Sequence, residues 1–525
     1  MAEEVFEADQ YNVVANNLVA LRDNMSQYTS VERNGFVVRM AKEEYDTYGH
    51  LVFDLVDEAA AKLTEKYNVE LRKPVFIEIF PEQKDFAIRT FGVPGGAGYL
   101  GVCFGRVVTM NSPAAQGASQ TNWRSVLWHE FCHVVTLQKT RNKMPRWLSE
   151  GISVHEERLA NKAWGDSISP AHRKMILDGE LTPVSQLSSA FLSPKSAQHL
   201  HFAYYESSLV VRFLVEKFGE AKLLALLDDL SRGTTINDAL QRHMAGTDYL
   251  DKEFDAYAKE IANGLAPKVD WTTPDRPIID LAGWAKWLEE HPDNYYGLRG
   301  VASSLIEDKD YEIGLAACDQ LAELYGDAKG AENIYRMRAA AHRGMKSPDE
   351  EIAALEKAIE LDASDLDSAS RLLDIYTVTG DWENLKRVAA RVQGINPLLK
   401  NSHRSLALAA EKTNDDDAMI RELRVLVALD PFDKADTHYR LASAEFRAGD
   451  LTAARRNVLL ALEAAPRYRD AHRLLLEVTR EGDKANGGNP PPVREAAALT
   501  KEEEEATPVS QTVDTPPQGS QCVQP

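Results

Sequence analysis

Residues 122–157 read NWRSVLWHEFCHVVTLQKTRNKMPRWLSEGISVHEE. Within this stretch His129 and His133 are four residues apart, so on an α-helix they lie one turn apart on the same face. Glu130 follows the first histidine, and the apolar residues around the motif predict a largely buried helix. Two histidines and a glutamate are costly to bury unless they are paired or bind a metal. The spacing therefore predicts a metal centre on this helix.

A third metal ligand is expected from a second helix, because a catalytic zinc ion takes three protein ligands and keeps one position open for water. Glu150 is the candidate, since it lies 17 residues after His133, beyond a polar turn and Pro145. A proline suits the first turn of a helix, and the intervening length allows two antiparallel helices. Gly151 is predicted to leave space beside the metal. The competing interpretation is a histidine pair that belongs only to the core.

The motif HEFCH, followed by PRWLSEGISVHEE, is similar to the gluzincin metallopeptidases, in particular the group called peptidase MA-like. The likeness in motif and order covers about residues 30–260. It implies a zinc peptidase in which His129, His133 and Glu150 bind one Zn²⁺ per chain and Glu130 is the general base. The spacer between the second histidine and Glu150 is two residues shorter than in the aminopeptidase branch, so the branch stays open.

The stretch HFAYYESSLVVRFLVEKFG at 201–219 holds the candidates for stabilising an oxyanion. Gluzincins place a tyrosine at the start of such a helix, and the resemblance favours Tyr204 as the hydrogen-bond donor. Tyr205 and His201 stay open as alternatives, the histidine acting as an imidazolium. Either tyrosine could instead be a buried ring with a hydrogen-bonded hydroxyl.

Glu157 is a candidate for orienting a metal ligand. It lies seven residues after Glu150, which is two helical turns along the same face. A carboxylate there can accept a hydrogen bond from the outer nitrogen of a metal-bound histidine and fix its tautomer. The alternative is a solvated surface glutamate.

The residues before the motif alternate between helix and strand patterns. They predict a β-hairpin that turns at Asn34-Gly35, a long helix over 43–66, a buried strand over 74–80 and one or two strands over 99–111. This order resembles the N-terminal sheet of a gluzincin, whose last strand before the metal helix lies at the cleft and pairs with extended substrate. The predicted fold class is an α+β metallopeptidase domain, with a mixed sheet and a helical subdomain, followed by an all-α TPR-like solenoid.

From about residue 271 the sequence changes to helical pairs with a constant period. The residues that follow successive second helices are spaced by 34, 34 and 35 residues and are Ala363, Pro397, Pro431 and Pro466. The turns inside the pairs fall 17 residues earlier, at Lys346, Gly380, Asn414 and Gly449. This is the period of the tetratricopeptide repeat, and it predicts about five stacked units. The concave face of such a solenoid commonly binds a peptide or partner, although the array could also be only a scaffold or a dimer surface.

The predicted domains follow from these patterns. They are a metallopeptidase domain over 1–267, TPR-like repeats over 271–482 and a disordered acidic and proline-rich tail over 483–525. Within the first domain the sheet part is expected over about 28–115, the metal helices over 121–160 and a helical part to 267.

Composition narrows the partners and the compartment. The chain has 60 Lys and Arg against 81 Asp and Glu, a formal net charge of −21, which argues against nucleic acid or an anionic membrane as a main partner. No stretch is long and apolar enough for a membrane span, and the start lacks a basic n-region. The four cysteines are far apart, so neither a disulfide framework nor a cysteine zinc site is predicted. The chain as given is expected to be cytoplasmic, or periplasmic or secreted if a signal peptide has been removed.

The predicted function is a zinc-dependent metallopeptidase. Endopeptidase activity is expected because the Gly-x-Met-Glu-Asn motif of the aminopeptidase branch is absent before the metal helix. The predicted partners are a peptide or protein substrate and a protein bound by the repeats. Two alternatives stay open: a catalytically inactive, peptidase-like TPR adaptor or scaffold, and a metal hydrolase that acts on a non-peptide bond.

Overall fold

The computed structural model describes residues 2–96, 98–117 and 120–485. In this part of the chain a small mixed sheet is surrounded by helices, and a long array of helices follows. The strands are β1 (Tyr28–Arg33), β2 (Phe36–Ala41), β3 (Val75–Phe80), β4 (Gly101–Cys103) and β5 (Val107–Asn111). Their order across the sheet is β1-β2-β3-β5-β4.

The sheet contains the hairpin predicted at Asn34-Gly35 and the strands predicted over 99–111. Asn34 and Gly35 join β1 to β2, and both have positive φ, as a two-residue hairpin turn requires. Strands β2, β3 and β5 run parallel, whereas β4 pairs with β5 in the antiparallel direction. The stretch 99–111 therefore forms two strands. Of these two strands, β5 lies inside the sheet and β4 forms its free edge.

The sheet and most of the helices around it share one large apolar core, and a smaller apolar cluster of Leu21, Phe80, Phe86 and Ile88 lies apart from it. Those before the metal motif are α1 (Ala2–Ala8), α2 (Val13–Met25), α3 (Lys42–Tyr67) and α4 (Gln83–Phe91). Those after it are α7 (Pro170–Leu177), α8 (Ser188–Leu192), α9 (Ala197–Phe218), α10 (Glu220–Arg232), α11 (Ile236–His243) and α12 (Thr247–Gly264).

The two metal-motif helices are α5 (Trp123–Thr140) and α6 (Arg146–Ala160). Asn122 caps α5, its side-chain oxygen accepting hydrogen bonds from two backbone N–H groups of the first turn. Arg141, in the left-handed region, ends the helix, and its N–H donates to carbonyls of the last turn. Pro145 stands at the N-cap of α6, one position before the first helical residue.

Helix α9 corrects two sequence predictions, one about its own start and one about Gly151 of α6. It begins at Ala197, so Tyr204 and Tyr205 lie two turns inside it and not at its start. Gly151 of α6 packs against it, because a Cβ at this glycine would lie 2.5 Å from the Ser207 carbonyl oxygen. The glycine therefore allows α6 and α9 to approach closely, and the prediction that it makes room beside a metal is wrong.

The rest of the described chain consists of paired helices. They are α13 (Leu281–Glu290), α14 (Tyr295–Glu307), α15 (Tyr311–Tyr325), α16 (Ile334–Gly344), α17 (Pro348–Leu361), α18 (Leu366–Thr379), α19 (Trp382–Ile395), α20 (Lys400–Lys412), α21 (Asp416–Ala428), α22 (Lys434–Arg447), α23 (Leu451–Ala464) and α24 (Arg469–Ala485). The four predicted turn residues, Lys346, Gly380, Asn414 and Gly449, all have positive φ and end the first helix of a pair. Pairs α14/α15 to α22/α23 make five units.

Two further sequence predictions concern the tail of the chain and membrane-spanning helices. The prediction of a disordered tail over 483–525 overlaps the end of α24 at 483–485, and its remainder lies outside the described residues. None of the described helices has both the length and the apolarity needed to cross a bilayer.

Candidate metal centre

Three side chains from α5 and α6 converge at one point. The Nε2 atoms of His129 and His133 are 3.1 Å apart, and the Glu150 Oε2 atom lies 3.2 Å from each of them. The ligand atoms of the three residues all lie within 4.8 Å of one another, close enough to bind one metal ion. The one-turn spacing of the histidines and the antiparallel pairing of α5 with α6 are what bring these atoms together.

Hydrogen bonds to the Nδ1 atoms hold both histidine rings in place from behind. The Nδ1 atom of His129 lies 2.7 Å from Glu157 Oε1, which can only accept, so this nitrogen carries the proton. The Nδ1 atom of His133 lies 2.8 Å from the Ser149 hydroxyl and 3.2 Å from that of Ser153. In both rings the Nε2 atom therefore faces Glu150 and the other histidine.

This arrangement fits a zinc ion. When neither Nε2 atom carries a proton, the two lone pairs and the carboxylate oxygen repel one another at these distances unless a cation lies between them. Two imidazoles and one carboxylate form a ligand set used by catalytic zinc, with a position left open for water. The donor set of His129, His133 and Glu150 can therefore hold a metal.

The pKa shifts of His129 and Glu150 follow from their burial and their hydrogen bonds. Burial lowers the pKa of His129, but its hydrogen bonds with Glu150 and Glu157 outweigh this and raise the pKa well above the ordinary histidine value. Burial would raise the pKa of Glu150, yet the adjacent His133 and His129 hold it well below the usual range. Glu150 therefore stays ionised, as a metal ligand must.

Glu130 lies beside this group and does not belong to it. Its side chain is buried, and its Oε2 atom has no hydrogen-bond partner among the described residues. Burial raises the pKa of this carboxyl, with His133 and His129 acting in the opposite direction. The backbone of Gly101, on edge strand β4, packs against it, since a Cβ at this glycine would lie 2.6 Å from Glu130 Cγ. A buried carboxylate oxygen without a partner is available to a water molecule or a substrate.

The metal group opens into a cleft of about 620 Å³. Strand β4 forms part of one wall, and the residues on either side of it already bond to β5, through the Leu100 carbonyl and the Phe104 N–H. Because inward and outward backbone groups alternate along an antiparallel strand, Gly101 and Cys103 turn theirs away from the sheet, at its free edge. An extended peptide chain could pair with these groups.

Tyr204 and Arg146 line the cleft together. The Tyr204 hydroxyl accepts a hydrogen bond from Arg146 Nη2 at 2.9 Å, and Arg146 Nε lies 3.3 Å from Glu150 Oε1. Burial raises the pKa of Tyr204 to about 12, so its hydroxyl keeps its proton at neutral pH. Since the hydroxyl accepts from the guanidinium, its own proton remains available to an oxygen atom in the cleft.

The two alternative oxyanion donors lie elsewhere. Tyr205 is buried and stacks on His172, with 4.5 Å between the ring centroids, and it does not line the cleft. His201 is exposed on the same helix and is also absent from the cleft wall. Of the three candidates named from the sequence, Tyr204 is the one near the metal group.

Ser125 and Arg146 are site residues that the sequence analysis did not name. Ser125 Oγ donates to Glu157 Oε2 at 2.5 Å, so both oxygens of this carboxylate are occupied, one by the serine and one by His129. Their spacing could have predicted both, because Ser125 lies one helical turn before His129 and Arg146 lies one turn before Glu150.

The part of the chain that contains the metal group matches a known protein family. Residues 56–259 match the family model of the peptidase MA superfamily, whose members are typically zinc-dependent, and this range includes α5 and α6. No curated protein matches the chain.

Two solved structures match this chain at low sequence identity. YrrB, described as a TPR protein with an unusual peptide-binding site, shares 16% identity over 38% of this chain and 100% of its own, with a TM-score of 0.29. Native yeast LTA4 hydrolase shares 14% identity over 86% of this chain and 64% of its own, with a TM-score of 0.26. From the family match and the helical pairs, the chain has a metallopeptidase-like region and TPR-like helical repeats.

Proposed function

We propose that this chain is a zinc-dependent peptidase that hydrolyses peptide bonds within an extended substrate. His129, His133 and Glu150 hold the zinc ion, and Glu130 is the general base. The observation that carries the proposal is the convergence of two histidine nitrogens and a carboxylate oxygen beside a buried carboxylate with a free oxygen, in an open cleft. A metal site next to Glu130 favours a catalytic role over a structural one, because a purely structural metal site would not require a general base.

In the proposed hydrolysis the zinc ion and the side chains of the cleft have different roles. When bound, zinc lowers the pKa of its water to about 7 and polarises the scissile carbonyl. Glu130 Oε2 takes the proton from the attacking water and passes it to the nitrogen of the leaving amine. The Tyr204 hydroxyl donates to the carbonyl oxygen as that atom gains negative charge. Arg146 holds the tyrosine hydroxyl in place by donating to it.

The substrate is a peptide that adds a strand to the free edge of β4. The outward backbone groups of Gly101 and Cys103 would bond to it, and this brings a peptide bond over Glu130. A mixed library of unstructured peptides, analysed by mass spectrometry, tests this. Cuts at internal bonds are expected, and release of single terminal residues alone would contradict the endopeptidase proposal.

The repeats are proposed to bind a protein partner or part of the substrate. In stacked helical pairs the concave surface is extended and suits a peptide. An inactive adaptor is the second candidate function. It predicts that the chain binds a partner but leaves every peptide of the library intact.

Tyr204→Phe is expected to lower kcat by about 10²-fold, because it removes one donor to the developing oxyanion. KM should change little, since the ring and its packing stay. Tyr205→Phe is the matched control, one residue away on the same helix but outside the cleft. Steady-state kinetics on one cleaved peptide measures both. Equal losses in the two variants would contradict the role of Tyr204.

Gly101→Ala is expected to lower kcat by up to about 10²-fold, because the new Cβ would lie 2.6 Å from Glu130 Cγ and displace the base. Zinc content should stay at one per chain. Gly264→Ala is the matched control, because its Cβ would meet open space near the end of α12. A wild-type kcat in Gly101→Ala would contradict the requirement for this close packing.

A further inference from the structure

The repeats contact the helix that carries the metal motif. Asn122 Nδ2 donates to the carbonyl of Ala363 at 3.0 Å, and the Asn122 N–H donates to the Ser364 hydroxyl at 3.1 Å. Both of these partners lie in the turn between α17 and α18. The next residue, Trp123, donates its indole N–H to the Gln393 carbonyl near the end of α19, at 2.8 Å. The first turn of α5 is thus held by two successive repeat units.

Asn122 has two functions at this contact. Its Oδ1 atom accepts from the N–H groups of Arg124 and Ser125 and caps α5, while its amide nitrogen faces the repeat. An asparagine amide cannot turn without exchanging donor for acceptor, so the Ala363 carbonyl fixes the orientation of the cap. The repeat thereby determines where the first turn of α5 begins.

A chain of hydrogen bonds continues from this turn to the metal group. Ser125 Oγ donates to one oxygen of Glu157, and His129 Nδ1 donates to the other. Ser125 and His129 are four residues apart, so both face α6 from the same side of α5. Asn122, Ser125 and Glu157 are 5%, 8% and 6% exposed, so solvent does not readily replace a lost partner.

We propose that Asn122 and Ser125 are positioning residues through which the repeat array sets the orientation of His129. The repeats are then a structural part of the metal centre, in addition to any partner they bind. This inference rests on the proposed metal site. It adds that the turn at 363–364, more than two hundred residues away in sequence, acts on the ligand geometry through Asn122, Ser125 and Glu157.

The physical reason is that a metal-bound imidazole needs its outer nitrogen held. Loss of an outer-shell partner commonly costs about 10–100-fold in metal affinity. Without Ser125, Glu157 keeps its bond with His129 but loses the contact that fixes its own rotamer. Without the amide of Asn122, the first turn can move relative to the repeat, and Ser125 moves with it. We expect about a tenfold loss of zinc affinity in each case.

Three variants of the full chain test this. Ser125→Ala removes the donor to Glu157. Asn122→Ser keeps a side-chain oxygen able to cap the helix but removes the amide that reaches Ala363. Lys329→Ala is the control, because Lys329 Nζ bonds the Lys162 carbonyl across the same domain contact and has no part in the chain of hydrogen bonds to His129.

Two readouts besides activity separate positioning from simple stability. Zinc affinity is measured by competition with a chelator, and the visible absorption spectrum of the cobalt-substituted protein reports the ligand geometry. Ser125→Ala and Asn122→Ser are expected to bind zinc about tenfold more weakly and to shift the cobalt bands, whereas Lys329→Ala keeps wild-type values even if its melting temperature falls.

The inference is overturned if Ser125→Ala and Asn122→Ser keep wild-type zinc affinity and cobalt spectrum, or if Lys329→Ala changes them equally. Failure of the proposed function has a different signature, because folded wild-type protein would then bind neither zinc nor cobalt. That result would remove the metal site and, with it, this inference.

Discussion

Glu130→Gln is expected to reduce peptide hydrolysis by about 10²–10⁴-fold while leaving one zinc ion per chain in place. Glutamine keeps the volume of the side chain and its packing on Gly101 but cannot accept a proton from water. The three proposed ligands are untouched, because Glu130 lies beside them and is not part of the ligand group. The loss should therefore fall on kcat.

Glu206→Gln is a matched control for this substitution. Glu206 is also a buried helical glutamate, and burial raises its pKa to about 8, so it is mostly protonated at pH 7 and glutamine resembles its native form. It accepts from the Thr182 N–H and lies outside the cleft. Wild-type kcat is expected in this variant. Near-wild-type hydrolysis by zinc-loaded Glu130→Gln would exclude Glu130 as the base.

Glu150→Gln is expected to weaken zinc binding by more than the roughly 10–100-fold that loss of an outer-shell partner costs, because a ligand itself loses its charge. The amide keeps the size of the side chain and can still accept from Arg146. Hydrolysis at limiting zinc should fall in parallel with zinc occupancy and recover in part at high zinc concentration.

Glu156→Gln provides the comparison on the same helix. Glu156 is as inaccessible as its neighbours, but its carboxylate accepts from the Tyr67 hydroxyl and pairs with Lys66, away from the ligand group. Its substitution can lower the melting temperature and should leave zinc affinity unchanged. Chelator competition measures both variants. Equal zinc affinity in Glu150→Gln and the wild type would require a different third ligand.

The ligand group could be predicted from sequence because each part of it is local or nearly so. His129 and His133 share a helix face by spacing alone, and Glu150 follows after a turn of polar residues. The turns at Gly380 and Asn414 were predictable for a similar reason, since the helical period repeats them at a constant interval. Local periodicity therefore determined the elements and the ligand candidates.

The surroundings of the group depend on contacts that spacing does not encode. Gly101 meets Glu130 only because β4 folds back as the edge strand of the sheet. The sequence predicts that Gly151 lies beside the metal, but this glycine packs on α9, because α6 lies between α5 and α9. The contact of Ala363 with Asn122 joins residues 241 positions apart, and no periodic pattern indicates which repeat meets α5.

The central claim is that zinc bound by this chain hydrolyses peptide bonds, and a zinc titration of metal-stripped protein tests it most directly. Zinc content by mass spectrometry and the cleavage rate of one library peptide are followed together as zinc is added. The account predicts that cleavage rises in proportion to bound zinc and stops rising at one ion per chain. Folded protein that reaches one zinc per chain without cleaving any peptide, or that binds no zinc, would contradict it.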